Sequence, residues 1–261
     1  MSEQQALEAI EATFARVDEL RKRFAIAHPP APGSVFDADD STMPRMRLSE
    51  LARTSLAQAW DHFDLVKLII ESRRTFVAAT GSVLRGALVA SAQSLWLVEP
   101  DDALQRRERG LFAAQEWYER RIQYQNEMAP DLDAGQLAQS QKQLEMLAQD
   151  LAAVSAARGN SNRIYTTDII REAARTRFGA EHLVRGAVGH WRRLGGDAHA
   201  VGWQLMVQAV TWWPSPDPDG LSSATVTGTL SNIAEPYLAA WHMFGAAIIR
   251  FDALSASPDQ Q

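Results

Sequence analysis

Residues 75–98 read TFVAATGSVLRGALVASAQSLWLV and are closed by Glu99-Pro100. Whether this stretch lies in lipid or in a protein core settles the architecture. Its length would cross a bilayer, yet Arg85 and Gln93 interrupt it and small residues fill much of it. Gly81, Gly86, Ala87, Ala90, Ser91 and Ala92 let neighbouring helices approach closely. The stretch therefore reads as the buried central helix of a bundle, with no membrane span. A buried Arg85 needs a partner, because an unpaired charge inside a protein costs several kcal/mol.

Amphipathic helices extend outward on both sides. Before it, Leu51, Leu56, Trp60, Phe63, Val66, Leu68 and Ile69 mark one helix. Further back, Leu7, Ile10, Phe14, Val17 and Phe24 recur at three- and four-residue steps, predicting a helical arm over residues 1–27. This arm packs on the main body or on a second copy. The proline-punctuated stretch HPPAPGSVFDADDSTMPRMR, residues 28–47, reads as a linker.

After the central helix, Asp101 or Asp102 caps a helix running to about Met128. A Gln-rich helix follows, with Leu137, Leu144 and Leu151 at seven-residue spacing, which suits a helical hairpin or a dimer seam. Gly159-Asn160 ends it, and a short helix from Thr167 or Asp168 runs to Phe178-Gly179. Residues 182–213 predict two helical halves joined at Gly195-Gly196. PSPDPDG is a loop, and SSATVTGT is the only strand-like piece, without an evident partner. Helix resumes near Pro236 in a first-turn position, with Tyr237, Trp241, Phe244, Ile248 and Phe251 on one face. The expectation is all-α: a single bundle of about 8–9 helices over residues 48–254 with an N-terminal arm, and a disordered tail at 255–261.

Composition limits function. Hydrophobic residues make up 46% of the chain, enough for a real core. There is no cysteine, which excludes disulfides, thiolate catalysis and Cys-ligated metals. The opening MSEQQALEAIEATFARVDEL has no uninterrupted apolar run, so it is not a secretory signal and a cytoplasmic location is expected. Net charge is −6, but residues 158–193 carry +5 and the remainder −11. This asymmetry offers an anionic partner such as RNA one basic face, Arg158 to Arg193.

No histidine has Glu three residues before it, and HExxH is absent, so neither a metal nor a cofactor is expected. Residues 182–213 hold four of the eight tryptophans and three of the six histidines, around the Gly-Gly joint. Arg193-x5-His199 crosses that joint. Asp197 would cap the second half and place His199 in its first turn, where the positive helix end attracts phosphate.

This spacing resembles the R-x4–6-H signature of HEPN ribonucleases, all-helical proteins that usually act as dimers. The resemblance implies metal-free RNA cleavage, with His199 moving protons and Arg193 or Arg85 stabilising the phosphate. The run RGALVASAQSLWLVEPDDALQRRERGL also resembles a pattern in uncharacterised actinobacterial helical proteins, which implies an Arg85–His199 neighbourhood. Here Val89 and Gly195 stand where that pattern carries a carboxylate and a serine.

No strong catalytic motif accompanies these features. The expected function is a non-catalytic bundle acting through self-association, as a homo-oligomer, or through a protein partner. A HEPN-like ribonuclease is one alternative. The other is a small-ligand sensor with an aromatic cavity between Trp96, Trp191, Trp203 and Trp241.

Overall fold

The fold is all-α. A computed structural model describes residues 1–26, 29–74, 76–199, 209–213, 223–227 and 229–257. The chain divides into two units, each drawn from three stretches of sequence. The first comprises Met1–His28, Ser55–Leu95 and Thr166–Ile248; the second comprises Pro29–Thr54, Trp96–Tyr165 and Ile249–Gln261. Each unit thus joins stretches that are separated in the sequence.

In the first unit the arm is two short helices, α1 (Glu3–Glu11) and α2 (Phe14–Ala25). Ser2 opens α1 with a capping box to Gln5. The arm is core rather than appendage: Ala6, Ile10, Val17 and Leu20 are buried. Trp60 donates its indole N–H to the Val17 carbonyl at 2.9 Å, and the Thr13 and Tyr237 hydroxyls bond each other. Of the two expected docking places, the arm takes the main body.

Residues 28–47, expected as a linker, contain a helix, α3 (Val35–Ser41), in the second unit. Ser34 accepts from the Asp37 N–H at 3.2 Å, an N-cap that outweighs the flanking prolines. Phe36 is buried with its ring 5.1 Å from that of Phe251.

Helix α4 (Leu48–Glu71) and helix α5 (Val77–Val98) follow. Leu84, Leu88, Ser91, Ala92, Ser94 and Leu97 of α5 are buried, in keeping with its small-residue pattern. Among the described residues no helix is long and apolar enough to cross a membrane. Asp102 caps α6 (Ala103–Met128), accepting from Gln105 N–H at 2.7 Å.

After a short 3-10 turn, α7 (Ala134–Arg158) packs on α6, ending at Gly159 with φ 68°. Its half-buried Leu137, Leu144, Leu147 and Leu151, with buried Val154, form a three–four stripe. Gln125 of α6 donates to Gln143 of α7 at 2.7 Å. The α6–α7 pair is a helical hairpin, one of the two uses expected of the heptad spacing.

Helix α8 (Thr166–Phe178) ends at Gly179, φ 69°, and α9 (Glu181–Ala198) then runs straight through Gly195-Gly196. The expected break there is absent, and His199 is the C-cap of α9. Two glycines lower helix propensity by about 1 kcal/mol each, but packing of the amphipathic face outweighs this.

The expected second helical half is also corrected. Ala209–Trp213 is a strand, β1, paired antiparallel with β2 (Ser223–Thr227), with Thr211 opposite Thr225. Val-Thr-Trp-Trp is rich in β-branched and aromatic residues, and it supplies the partner that SSATVTGT lacked. Helix α10 (Leu230–Ser255) begins earlier than expected, leaving Pro236 inside it rather than in its first turn. Asn160 to Tyr165 and Thr229 are irregular.

Candidate ligand cavity

Pro236 shapes the site. A proline within a helix has no N–H to give the carbonyl four residues earlier, here that of Asn232. Arg193 of α9 takes the place of that donor, giving an N–H from Nη2 to the Asn232 carbonyl at 2.6 Å. The guanidinium is thereby fixed at the α9–α10 junction, with further N–H donors left over.

A cavity of about 480 Å³ opens beside this arginine. Leu7 and Glu11 of α1 form one wall; Ile69, Ile70, Arg73, Arg74 and Phe76, from the end of α4 and the turn after it, form another. Thr80 and Gly81 of α5, Leu194 and Asp197 of α9, and Leu230 and Ile233 of α10 complete it. All belong to the first unit. Its volume lies within the range of roughly 300–1,000 Å³ usual for small-molecule sites, and its lining mixes apolar side chains with a few charges.

The carboxylates around it have defined tasks. Glu3 accepts from the Leu230 N–H at 2.7 Å and from the Ser231 N–H at 3.0 Å, capping α10 from outside the helix. Bonding to the Ser231 side chain, opposed by desolvation and aided by these N–H groups, holds its carboxyl below the ordinary range. Asp197 lies over the α5 backbone. A methyl group built on Gly81 would fall 2.1 Å from its Oδ2, so any larger residue there would push the Asp197 side chain aside.

The arginines of the α4–α5 turn differ. Arg73 and Arg74 are exposed and form no ion pair with a described residue. Arg73 closes α4 with φ 54°, its N–H bonded to the Ile70 carbonyl at 2.9 Å. A left-handed backbone there would suit glycine better than any residue with a Cβ.

On the neighbouring face of α9, His190 lies 3.6 Å from the Glu235 carboxylate. Burial holds its imidazole below the ordinary value, with Arg193 acting in the same direction and Glu235 against.

The residues singled out in the sequence do not all meet. Arg85 sits over Trp191, its guanidinium carbon 5.9 Å from the ring centre, and its Nε lies 3.7 Å from where a Gly195 side chain would start. Arg85 Nε and Trp191 Nε1 are buried without an acceptor among the described residues. Arg193 turns to Asn232, while His199 is exposed at the helix end. Six residues apart on one helix, Arg193 and His199 project about 120° from each other.

Trp241 belongs to an aromatic cluster, its ring 5.1 Å from Phe63, 5.6 Å from Phe244 and stacked at 6.4 Å on Tyr237. Trp96, in the second unit, contacts Phe112 at 6.1 Å and lies under Arg109 at 4.9 Å. Trp203 lies outside the described residues. The cavity is therefore walled by other residues. Glu3, Arg73 and Arg74 escaped sequence reasoning; a proline inside a helical pattern, with its freed carbonyl, was the available signal for Arg193.

The arginines of residues 158–193 mostly act locally. Arg171 pairs with Asp168, Arg175 with Glu181 at 3.6 Å, and Arg177 donates to the His242 carbonyl at 3.2 Å. Arg158, in the second unit, bonds Gln115 at 3.0 Å and lies 5.0 Å from the centre of the Phe112 ring. Among the described residues, no three His, Asp or Glu side chains gather as a metal site. No family model, curated protein or solved structure matches this chain.

Proposed function

We propose that this is a non-catalytic helical binding protein whose first unit holds a small organic molecule in the cavity between α1, α4, α5, α9 and α10. The cavity itself carries the reading. A space of about 480 Å³ is lined by Ile70, Leu194 and Ile233, and charged side chains stand at its wall. A molecule that binds the folded chain and not the unfolded one would add stability.

The groups around the cavity favour binding over chemistry. Glu3 is committed to helix capping, and Arg193 is anchored through one nitrogen to the Asn232 carbonyl. The metal-independent nuclease alternative needs His199 and either Arg193 or Arg85 on one phosphate; Arg193 diverges from His199 along α9, and Arg85 is turned onto Trp191, which weighs against it.

A fragment panel followed by ligand-observed NMR tests the proposal. Small amphipathic molecules should bind the wild type, and their signals should be lost with Ile233→Trp, which fills the space from its half-buried rim. An absence of hits, or hits indifferent to Ile233→Trp in a folded protein, would reject the reading.

A further inference from the structure

We infer that the occupant of this cavity is an amphipathic organic anion, with its acidic head on Arg73, Arg74 and Arg193 and its aliphatic part against Leu7, Ile70 and Ile233. The inference rests on the binding reading above and adds the chemical class. Arg73 provides the first reason. Its left-handed backbone, φ 54°, places a long charged side chain where glycine would be easier, and the residue lines the cavity. A side chain kept against such strain is expected to have a task.

Charge supplies the second reason. Arg73 and Arg74 have no carboxylate partner among the described residues, and Arg193 spends one nitrogen on Asn232. Of the acidic residues in the wall, Glu3 has both oxygens bonded to the α10 N-terminus. Asp197 is packed over Gly81, and Glu11 is exposed at the end of α1. The wall thus carries three arginines and three carboxylates, but with Glu3 spent on α10 the guanidinium N–H groups outnumber the oxygens of Glu11 and Asp197. Planar guanidinium groups recognise carboxylates by paired N–H donation.

Volume and lining supply the third. At about 30 Å³ per heavy atom, the volume share of a water molecule, the cavity of about 480 Å³ takes at most roughly sixteen atoms. A medium-chain carboxylate is of this size, and its methylene groups would be sheltered by the aliphatic wall.

Titration calorimetry of the full chain at pH 7.5, with octanoate, octylamine and 1-octanol, compares three heads on one tail. Octanoate should bind at least ten times more tightly than the other two. R73G should weaken octanoate five-fold or more while raising Tm by about 2–4 °C, because glycine relieves the turn. A purely structural Arg73 would leave affinity unchanged, and that result overturns the head-group assignment. If octanol or octylamine binds as well as octanoate and Ile233→Trp abolishes it, the anionic class is wrong and the cavity reading stands. Octanoate binding that survives Ile233→Trp overturns the inference, as does no binding by any of the three. The fragment panel judges the cavity reading separately.

Discussion

Among the individual side chains, buried histidines give the protein a direction of pH response. His62 packs against α5 so closely that a methyl group on Gly86 would fall 2.2 Å from its Nε2. Burial holds its imidazole below the ordinary value of 6.5, outweighing nearby Asp61. Burial and Arg193 do the same for His190, against Glu235. Both favour the neutral ring in the folded state. The unfolded chain takes up protons first as pH falls, so this contribution is complete above about 6.5 and is lost as pH falls through the lowered folded values. The urea midpoint should thus drop between pH 7.5 and 5.5, and a His62→Asn, His190→Asn double variant should flatten that drop. An unchanged slope in the double variant would assign the acid sensitivity to other groups. Glu3 adds a second, more acidic step, since its α10 cap fails once its lowered carboxyl is protonated. Little of this was legible beforehand, because histidine burial depends on which helix lies opposite and not on local spacing.

Along the helices, the glycines separate into two kinds that look identical in the sequence. Gly81 and Gly86 are points where α5 accepts the Asp197 and His62 side chains. Gly186 and Gly189 of α9 face open space, with nothing within 4 Å of an added methyl group. Gly81→Ala should therefore destabilise by about 1–3 kcal/mol through overpacking, even after the gain in helix propensity. Gly189→Ala should stabilise by about 0.5–1 kcal/mol, since only backbone freedom changes. Chemical denaturation of both variants checks the contrast, and equal shifts would refute the packing assignment. The sequence showed the small residues of α5 and the need for close approach there, because their clustering is local. It misread Gly195-Gly196 as a joint, because the continuity of α9 is held by Val184, Ala187 and Leu194, buried by distant segments. The same limit hid β1: its β-forming residues followed a helical pattern, and their partner lies beyond the Pro-Asp-Gly stretch.

For the chain as a whole, helix class was legible and segment grouping was not. Periodicity marked which residues turn inward, whereas the assignment of three separated stretches to each unit depends on contacts between residues far apart in the sequence, such as Phe36 with Phe251. The second unit contains the interaction whose loss should be most damaging. Arg106 and Asp39 are 3% and 5% exposed, and they bond through Nε to Oδ2 at 2.6 Å and through Nη2 to Oδ1 at 3.2 Å. Arg106 also donates to the Pro100 and Asp101 carbonyls at 2.8 and 2.7 Å. Taking two charges out of water is costly, so the pair stabilises mainly by mutual satisfaction and fixes where α3 meets α6. Asp39→Leu should accordingly cost about 3–5 kcal/mol, because it leaves a buried guanidinium without its carboxylate. Adding Arg106→Met should recover at least about 1 kcal/mol of that loss, since an apolar pair of similar volume no longer needs compensation. Recovery should be incomplete, because the Pro100 and Asp101 carbonyls lose their donor. Urea unfolding of the single and double variants measures both steps; a double variant less stable than Asp39→Leu alone would show that Arg106 stabilises the second unit chiefly through those carbonyls and not through Asp39.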